Sequence, residues 1–216
     1  MRERSVRVFV ISALVLAVPP FVATLLLGHT ALHEAINGHH AAWADTLFKY
    51  GTNLADGWTA TIITLLLLLK NWRSFLMLGA SAALSAIVAQ ALKHFVFDDV
   101  NRPAEFLNVM PQIRLVAGEE LMHFNSFPSG HSTCAFSMCF AFAVIVARVR
   151  PAAMFAVLAA LLAFSRVYLS QHFTEDVLAG AFIGTVTGFV VYRWLYRSAF
   201  STRLWLDRSP FRYGRK

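Results

Sequence analysis

Residues 8–27 read VFVISALVLAVPPFVATLLL, twenty consecutive positions without a charged side chain. A hydrocarbon layer of about 30 Å is crossed by roughly 20 apolar residues in a helix, so this run is long enough to span one. Five further apolar stretches follow, at about 54–69, 75–92, 132–146, 151–168 and 177–196. Runs such as Leu65 to Leu69 lack the alternation of lipid-facing barrel strands, and only helices or closed barrels satisfy backbone groups in lipid. The sequence therefore predicts an all-α membrane protein with six transmembrane helices in a bundle. Composition agrees, since 57% hydrophobic and 14% charged residues are too apolar a balance for a soluble domain of this length. No repeat, low-complexity segment or linker divides the chain, and residues 1–216 are expected to form a single domain.

Arg2, Arg4 and Arg7 ahead of an apolar run also suit a cleaved signal peptide. Against this, the run continues past Pro19 and Pro20 without a small-residue cleavage site.

Positive charge is grouped at the amino terminus, at Lys70 and Arg73, at Arg148 and Arg150, and from Arg193 to Lys216. The positive-inside rule makes these the cytoplasmic segments and both termini cytoplasmic. All eight histidines then fall on the other side. A basic tail carrying Trp205, Phe211 and Tyr213 also suits nucleic acid, but a juxtamembrane basic segment more often fixes topology and touches anionic lipid, so membrane lipids and no nucleic acid are the expected partners. Cys134 and Cys139 lie within one apolar stretch and read as packing residues.

The cytoplasmic connections are short, while Gly28 to Asn53 and Lys93 to His131 are long outer loops, the places where function tends to sit. Three segments put ionisable groups at the outer helix ends: Lys93 with Arg102-Pro103, Pro128-Ser129-Gly130-His131, and Ser165-Arg166 followed by His172 and Asp176. Charged groups beside lipid are costly and usually have a partner or a task. Ser129-Gly130-His131 opens a helix, with Pro128 suited to its first turn, and a helix start offers unpaired amides to an anion. An ordinary cap with an interfacial histidine is the plainer alternative. His172 and Asp176 are four apart, so a helical turn would set them on one face, the carboxylate fixing the imidazole tautomer and leaving the other nitrogen as a nucleophile. A structural His–Asp pair, with Arg166 reaching to headgroups, is equally compatible. Lys93, Arg102 and Arg166 supply three cations for one phosphoryl group.

These residues resemble the signature of the type-2 phosphatidic acid phosphatase and vanadium haloperoxidase superfamily, K-x6-RP, PSGH and SR-x5-H-x3-D. The second and third parts match at full spacing in Pro128 to His131 and in Ser165, Arg166, His172 and Asp176. The first departs: eight residues rather than six separate Lys93 from Arg102, an insertion that an irregular turn around Asp98 to Asn101 would absorb. The resemblance implies that His172 attacks phosphorus to give a phosphohistidine, that Asp176 orients it, and that His131 protonates the leaving oxygen. It further implies that Lys93, Arg102, Ser129, Gly130 and Arg166 hold the phosphate, with no cofactor.

The expected activity is a membrane lipid phosphatase of the bacterial inner membrane with its active site on the extracytoplasmic side. Its candidate substrates are phosphatidic acid, phosphatidylglycerophosphate, a polyprenyl pyrophosphate and a lipid A-like phosphate. A phosphotransferase, a haloperoxidase and a non-catalytic anionic-lipid binder or transporter remain as alternatives, and the oligomeric state is unknown. His29, His33, His39 and His40 with Glu34 raise a metal site, but His33-Glu34 is followed by Asn37 where H-E-x-x-H needs histidine, so a polar outer loop and no metal are expected. Phe95, Phe97, Phe106, Phe124 and Phe127 suit either a guide for a lipid chain or packing of the loop on the bundle.

Overall fold

In the computed structural model, which describes residues 1–211, the six apolar stretches are all helical. Helix α1 spans Arg2–Leu27 and ends at Gly28, whose φ of 77° lies in the region that favours glycine. Gly28 N–H closes the helix on the Thr24 carbonyl at 2.9 Å. The outer loop expected between the first two spans is itself folded, as α2 (His29–Asn37), α3 (Ala42–Gly51) and a 3-10 turn at Thr52–Ala55. Then come α4 (Gly57–Leu67), α5 (Trp72–Phe95), α6 (Gly130–Val146), α7 (Val149–Tyr168) and α8 (Thr174–Arg197).

The expected limits shift for identifiable reasons. Asn71 accepts the Ser74 N–H at 2.8 Å and so starts α5 before the apolar run begins. Pro151 lies in the first turn of α7, where a missing N–H costs nothing, and the helix begins two residues ahead of it. In the second stretch the change is the opposite, because residues 52–55 form the 3-10 turn and leave α4 with only 11 residues. Four helices, α1, α5, α7 and α8, are long and apolar enough to cross a membrane, while α4 and the 17-residue α6 are shorter. The chain is an integral membrane protein, and no strand occurs among the described residues.

The tightest contact is between α6 and α8. A Cβ at Gly180 would lie 2.5 Å from the Ser129 carbonyl oxygen, at Gly184 2.3 Å from that of Thr133, and at Gly188 2.8 Å from the Phe140 ring. Glycines four apart thus form a stripe that lets two backbones approach closely, the device by which helices pack without a hydrophobic driving force in lipid. Around this pair the core is filled by Phe9, Met77, Leu78, Val144 and Leu195. Phe9 meets Phe140 edge-on at 5.4 Å and so ties α1 to α6.

Basic groups converge at one end of the bundle. Arg2 Nε donates to the Val144 carbonyl at 3.0 Å, Arg73 pairs with Asp207 through Nε and Nη2 at 2.7 Å each, and Arg197 pairs with Glu3. The segment after α8 folds back as two short 3-10 turns, and Trp72 N–H donates to the Arg208 carbonyl at 3.1 Å. The last aromatic and basic residues of the expected tail, Tyr213 and Lys216 among them, lie outside the described residues. Because α5 to α8 alternate in direction, Lys93, Gly130, Arg166 and Thr174 all lie at the opposite end.

Candidate active site

The turn between α7 and α8 is closed by the Arg166 carbonyl, which accepts the N–H groups of Gln171 at 2.9 Å and His172 at 3.2 Å. Ser170 takes a left-handed φ of 54° within it. His172 therefore precedes α8, and the expected common helical face with Asp176 is replaced by a different geometry. Asp176 sits in the first turn of α8, and its Oδ2 accepts the Phe173 N–H at 2.9 Å and the Ser126 hydroxyl at 2.5 Å. His172 Nδ1 lies 3.3 Å from the same oxygen and 3.4 Å from Ser126 Oγ. Both His172 and Asp176 are buried. With Nδ1 turned to the carboxylate, Nε2 is the ring nitrogen left for chemistry. Burial first, and then the charges of Arg102, Arg166, Lys93 and His131, push the His172 imidazole well below its ordinary value, which favours the neutral form.

Arg102 is buried, and its guanidinium donates to three carbonyls: Nε to Phe124 at 2.8 Å, Nη1 to Gln171 at 3.1 Å and Nη2 to Asn125 at 3.4 Å. Arg166, also buried, donates through Nη1 to Thr52 Oγ1 at 3.1 Å, while its Nε–H has no acceptor among the described residues. Among the described residues neither guanidinium has a carboxylate within ion-pair distance, which leaves two buried cations unpaired. An arrangement of this kind is costly unless an anion completes it.

Lys93 occupies the last turn of α5, within electrostatic reach of Arg102, Arg166 and Asp176, so the longer first segment still brings it to the site. The insertion is absorbed in a turn that begins earlier than expected, at Val96, where the N–H groups of Val96 and Phe97 both close on the Leu92 carbonyl. Beyond it, Ser126 N–H donates to Val100 O at 2.9 Å and Arg102 N–H to His123 O at 2.8 Å, and these two bonds fix Ser126 beside the carboxylate.

Ser129, not Pro128, begins the next helix: Ser129 is the N-cap of α6, with Pro128 one residue before it. Its hydroxyl accepts the Ser132 N–H at 3.4 Å and its own N–H donates to the Asp176 carbonyl at 3.0 Å, so Ser129 is occupied in joining α6 to α8. The amides free to meet an anion are those of the following turn, starting with Gly130, where a Cβ would meet nothing within 4 Å. His131 is half-buried and borders a cleft of about 580 Å³ between α4, α5 and α6.

All eight residues singled out in the sequence thus come to one end of the bundle. Ser126, Thr52 and Gln171 join them without any signal in the three-part pattern. The histidines of the segment between α1 and α4 go separate ways: His33 Nε2 meets Ser170 Oγ at 3.1 Å, His29 faces Glu175 at 3.4 Å, His39 meets the Ala35 carbonyl, and His40 meets Asp45 at 2.9 Å. Among the described residues no three His, Cys, Asp or Glu side chains gather as metal ligands. Of the aromatics singled out between α5 and α6, Phe97 packs edge-on against Phe127 at 4.7 Å and Phe106 against Phe173 at 5.5 Å, whereas Phe124, and Phe95 at the end of α5, are exposed.

The family model described as the PAP2 superfamily matches residues 74–200, more than half of the chain and the whole of the site except Thr52. The chain belongs to the PAP2 superfamily. Two solved structures resemble it. The crystal structure of Aquifex aeolicus LpxE superposes with a TM-score of 0.67 at 24% identity, over 76% of this chain and 94% of that one. The transmembrane PAP2-type phosphatidylglycerolphosphate phosphatase from Bacillus subtilis superposes with a TM-score of 0.63 at 23% identity, over 91% and 98%. At these identities the likeness concerns the fold. No curated protein sequence matches the chain.

Proposed function

We propose that this PAP2 chain is an integral membrane lipid phosphatase that works through a phosphohistidine on His172. The observation that carries the reading is the pair of buried guanidiniums that, among the described residues, have no carboxylate partner, beside a buried imidazole held by a carboxylate. Cations without an internal partner suit a dianionic phosphoryl group, and an imidazole that is neutral and oriented suits attack on its phosphorus.

In this scheme His172 Nε2 forms a bond to phosphorus as the phosphorus–oxygen bond to the lipid breaks. His131 gives its proton to the leaving oxygen, and Asp176 holds the imidazolium that develops on His172. Water then attacks the phosphohistidine, returns a proton to His131 and releases inorganic phosphate. Lys93, Arg102, Arg166 and the Gly130 amide hold the equatorial oxygens, and Ser129 contributes by setting the start of α6. Since three side chains supply the positive charge, the reaction requires no metal.

The positive-inside pattern supports six spans with both termini cytoplasmic, α4 and α6 completing the set as short helices, and the site on the extracytoplasmic side of a bacterial inner membrane. All of this lies in one domain. The substrate class comprises phosphatidic acid, phosphatidylglycerophosphate, polyprenyl pyrophosphate and lipid A-like phosphates, with the lipid portion along the cleft beside His131.

Phosphate release by the purified protein in detergent, with chelator, across these lipids and alongside His172→Gln, tests the reading. Chelator-resistant release that the variant loses is the expected result. Transfer of phosphate to an acceptor other than water would make it a phosphotransferase, and no turnover by folded protein would make it a binder.

A further inference from the structure

The cleft beside His131 changes character along its length. Towards the basic end of the bundle it is bordered by Leu65, Phe75 and Gly79, and towards the site by Asp56, Gln90 and His131. Asp56 is the N-cap of α4, a position where aspartate ordinarily accepts from the first helical amides, yet its side chain makes no capping hydrogen bond. Instead it borders the cleft, within electrostatic reach of His131 and Arg166. Gln90, on α5, precedes Lys93 by three residues and so lies one turn below it on the same face.

The charges therefore divide about the reacting centre. Lys93, Arg102 and Arg166 surround His172, where the transferred phosphoryl group sits. A carboxylate has the wrong sign for that group. Its place on the wall of the cleft that His131 also borders sets it on the side of whatever departs.

We propose that Asp56, assisted by Gln90, selects the leaving group: it accepts a hydrogen bond from a hydroxyl or amide next to the scissile oxygen and repels a leaving group that is itself anionic. The substrate is then a lipid phosphomonoester with a hydrogen-bond donor beside the ester oxygen, and a lipid pyrophosphate is disfavoured. With a phosphomonoester, the phosphorus–oxygen bond breaks and a neutral alcohol leaves after taking the His131 proton. With a pyrophosphate, attack on the terminal phosphorus breaks the bridge and a lipid monophosphate, still negatively charged, must pass Asp56.

This inference rests on the phosphatase reading, and the experiment keeps the two apart. Lysophosphatidic acid, an alkyl monophosphate without the neighbouring hydroxyl, and the corresponding alkyl pyrophosphate, all of one chain length, are offered to the wild type, Asp56→Asn and Gln90→Glu in detergent. The wild type is expected to rank them in that order by kcat/KM. Asp56→Asn is expected to narrow the gap between lysophosphatidic acid and pyrophosphate by about tenfold, as loss of one like charge at close range predicts. Gln90→Glu, a second carboxylate on the facing helix, is expected to widen it and keeps the test open if Asp56→Asn does not fold. Turnover with a wild-type preference for pyrophosphate, or a ratio that both variants leave within about twofold, would overturn the selection by Asp56 while leaving the phosphatase reading intact. Absence of turnover on all three, and on the wider lipid panel, would remove both.

Discussion

The Ser126 hydroxyl donates to Asp176 Oδ2 at 2.5 Å, so the carboxylate that faces His172 is held from a distant part of the chain. The same oxygen takes the Phe173 N–H and lies 3.3 Å from His172 Nδ1. Three groups on one oxygen fix the carboxylate in position, and through it the imidazole.

Ser126→Ala removes one of these restraints without removing a substrate contact. In the proposed mechanism kcat should fall by about tenfold, the usual scale for a residue that orients a reacting group, while KM stays within about twofold. Steady-state kinetics on any accepted lipid phosphate check this. An unchanged kcat would mean that the Phe173 amide suffices.

The sequence pattern reveals the parts of this site that repeat at fixed short spacing and little of what positions them. The apolar runs disclose the long helices because a lipid-exposed helix is hydrophobic over its length, and Lys93, Arg102, His131, Arg166, His172 and Asp176 stand out as charges that lipid does not tolerate. Ser126 reaches its partner across 50 residues, Thr52 across 114 and His33 across 137, and no local periodicity encodes such contacts. Helices α2 and α3 are hidden for the same reason. They are short and amphipathic rather than continuously apolar, and α2 is held by the bonds of His33 and Asn37 to Ser170, residues apart in sequence. Even the His172–Asp176 spacing, read as one helical face, is realised by a turn leading into a helix.

Rate should depend on pH through the two histidines. In the proposed mechanism His172 acts when neutral, and burial with surrounding cations holds it below the usual imidazole range, so protonation would remove the nucleophile only well into acid. The acid limb of kcat/KM is therefore expected below the ordinary value of about 6.5 and the basic limb where His131 loses its proton, giving a bell. A profile that rises or falls monotonically over the accessible range would count against the pairing.

Stability should depend on pH through His33. Burial lowers it from the ordinary 6.5 to about 4, with the Asp176 charge opposing. A histidine that resists protonation when folded binds more protons when unfolded, so its contribution is complete above about 6.5 and is lost as pH falls towards 4. The span corresponds to about 3 kcal/mol at most. Thermal unfolding in detergent should show a drop in midpoint across this window that His33→Gln reduces; an equal drop in the variant would place the acid sensitivity elsewhere.

Close approach of α6 and α8 should make Gly184 intolerant of any side chain. A Cβ there would lie 2.3 Å from the Thr133 carbonyl oxygen, which is backbone and cannot swing away, whereas one at Gly57 would meet nothing within 4 Å. Gly184→Ala should lose about 1–3 kcal/mol and lower the unfolding midpoint by several degrees, with Gly57→Ala close to wild type. Equal midpoints for the two variants would mean the helices can separate without cost.

Arg102 and Arg166 should differ sharply on replacement by lysine. Arg102 already donates through Nε, Nη1 and Nη2 to carbonyls of Phe124, Gln171 and Asn125, so much of its capacity is spent holding the segment that carries Ser126. Among the described residues Arg166 donates only to Thr52, and its buried Nε–H has no acceptor. Since a guanidinium offers five donors in a fixed fork, in the proposed site Arg166 would grip two phosphoryl oxygens with those it retains, a grip an ammonium cannot reproduce. Competitive inhibition by inorganic phosphate isolates this contact from the chemistry of the leaving group. Arg166→Lys should weaken phosphate binding by about ten- to a hundredfold, the worth of one charge-assisted hydrogen bond, with the unfolding midpoint nearly unchanged. Arg102→Lys should do the reverse, lowering the midpoint more than it weakens phosphate, because its main partners are backbone. If phosphate inhibits both variants as it does the wild type, neither arginine grips the phosphoryl group and the anion site lies elsewhere.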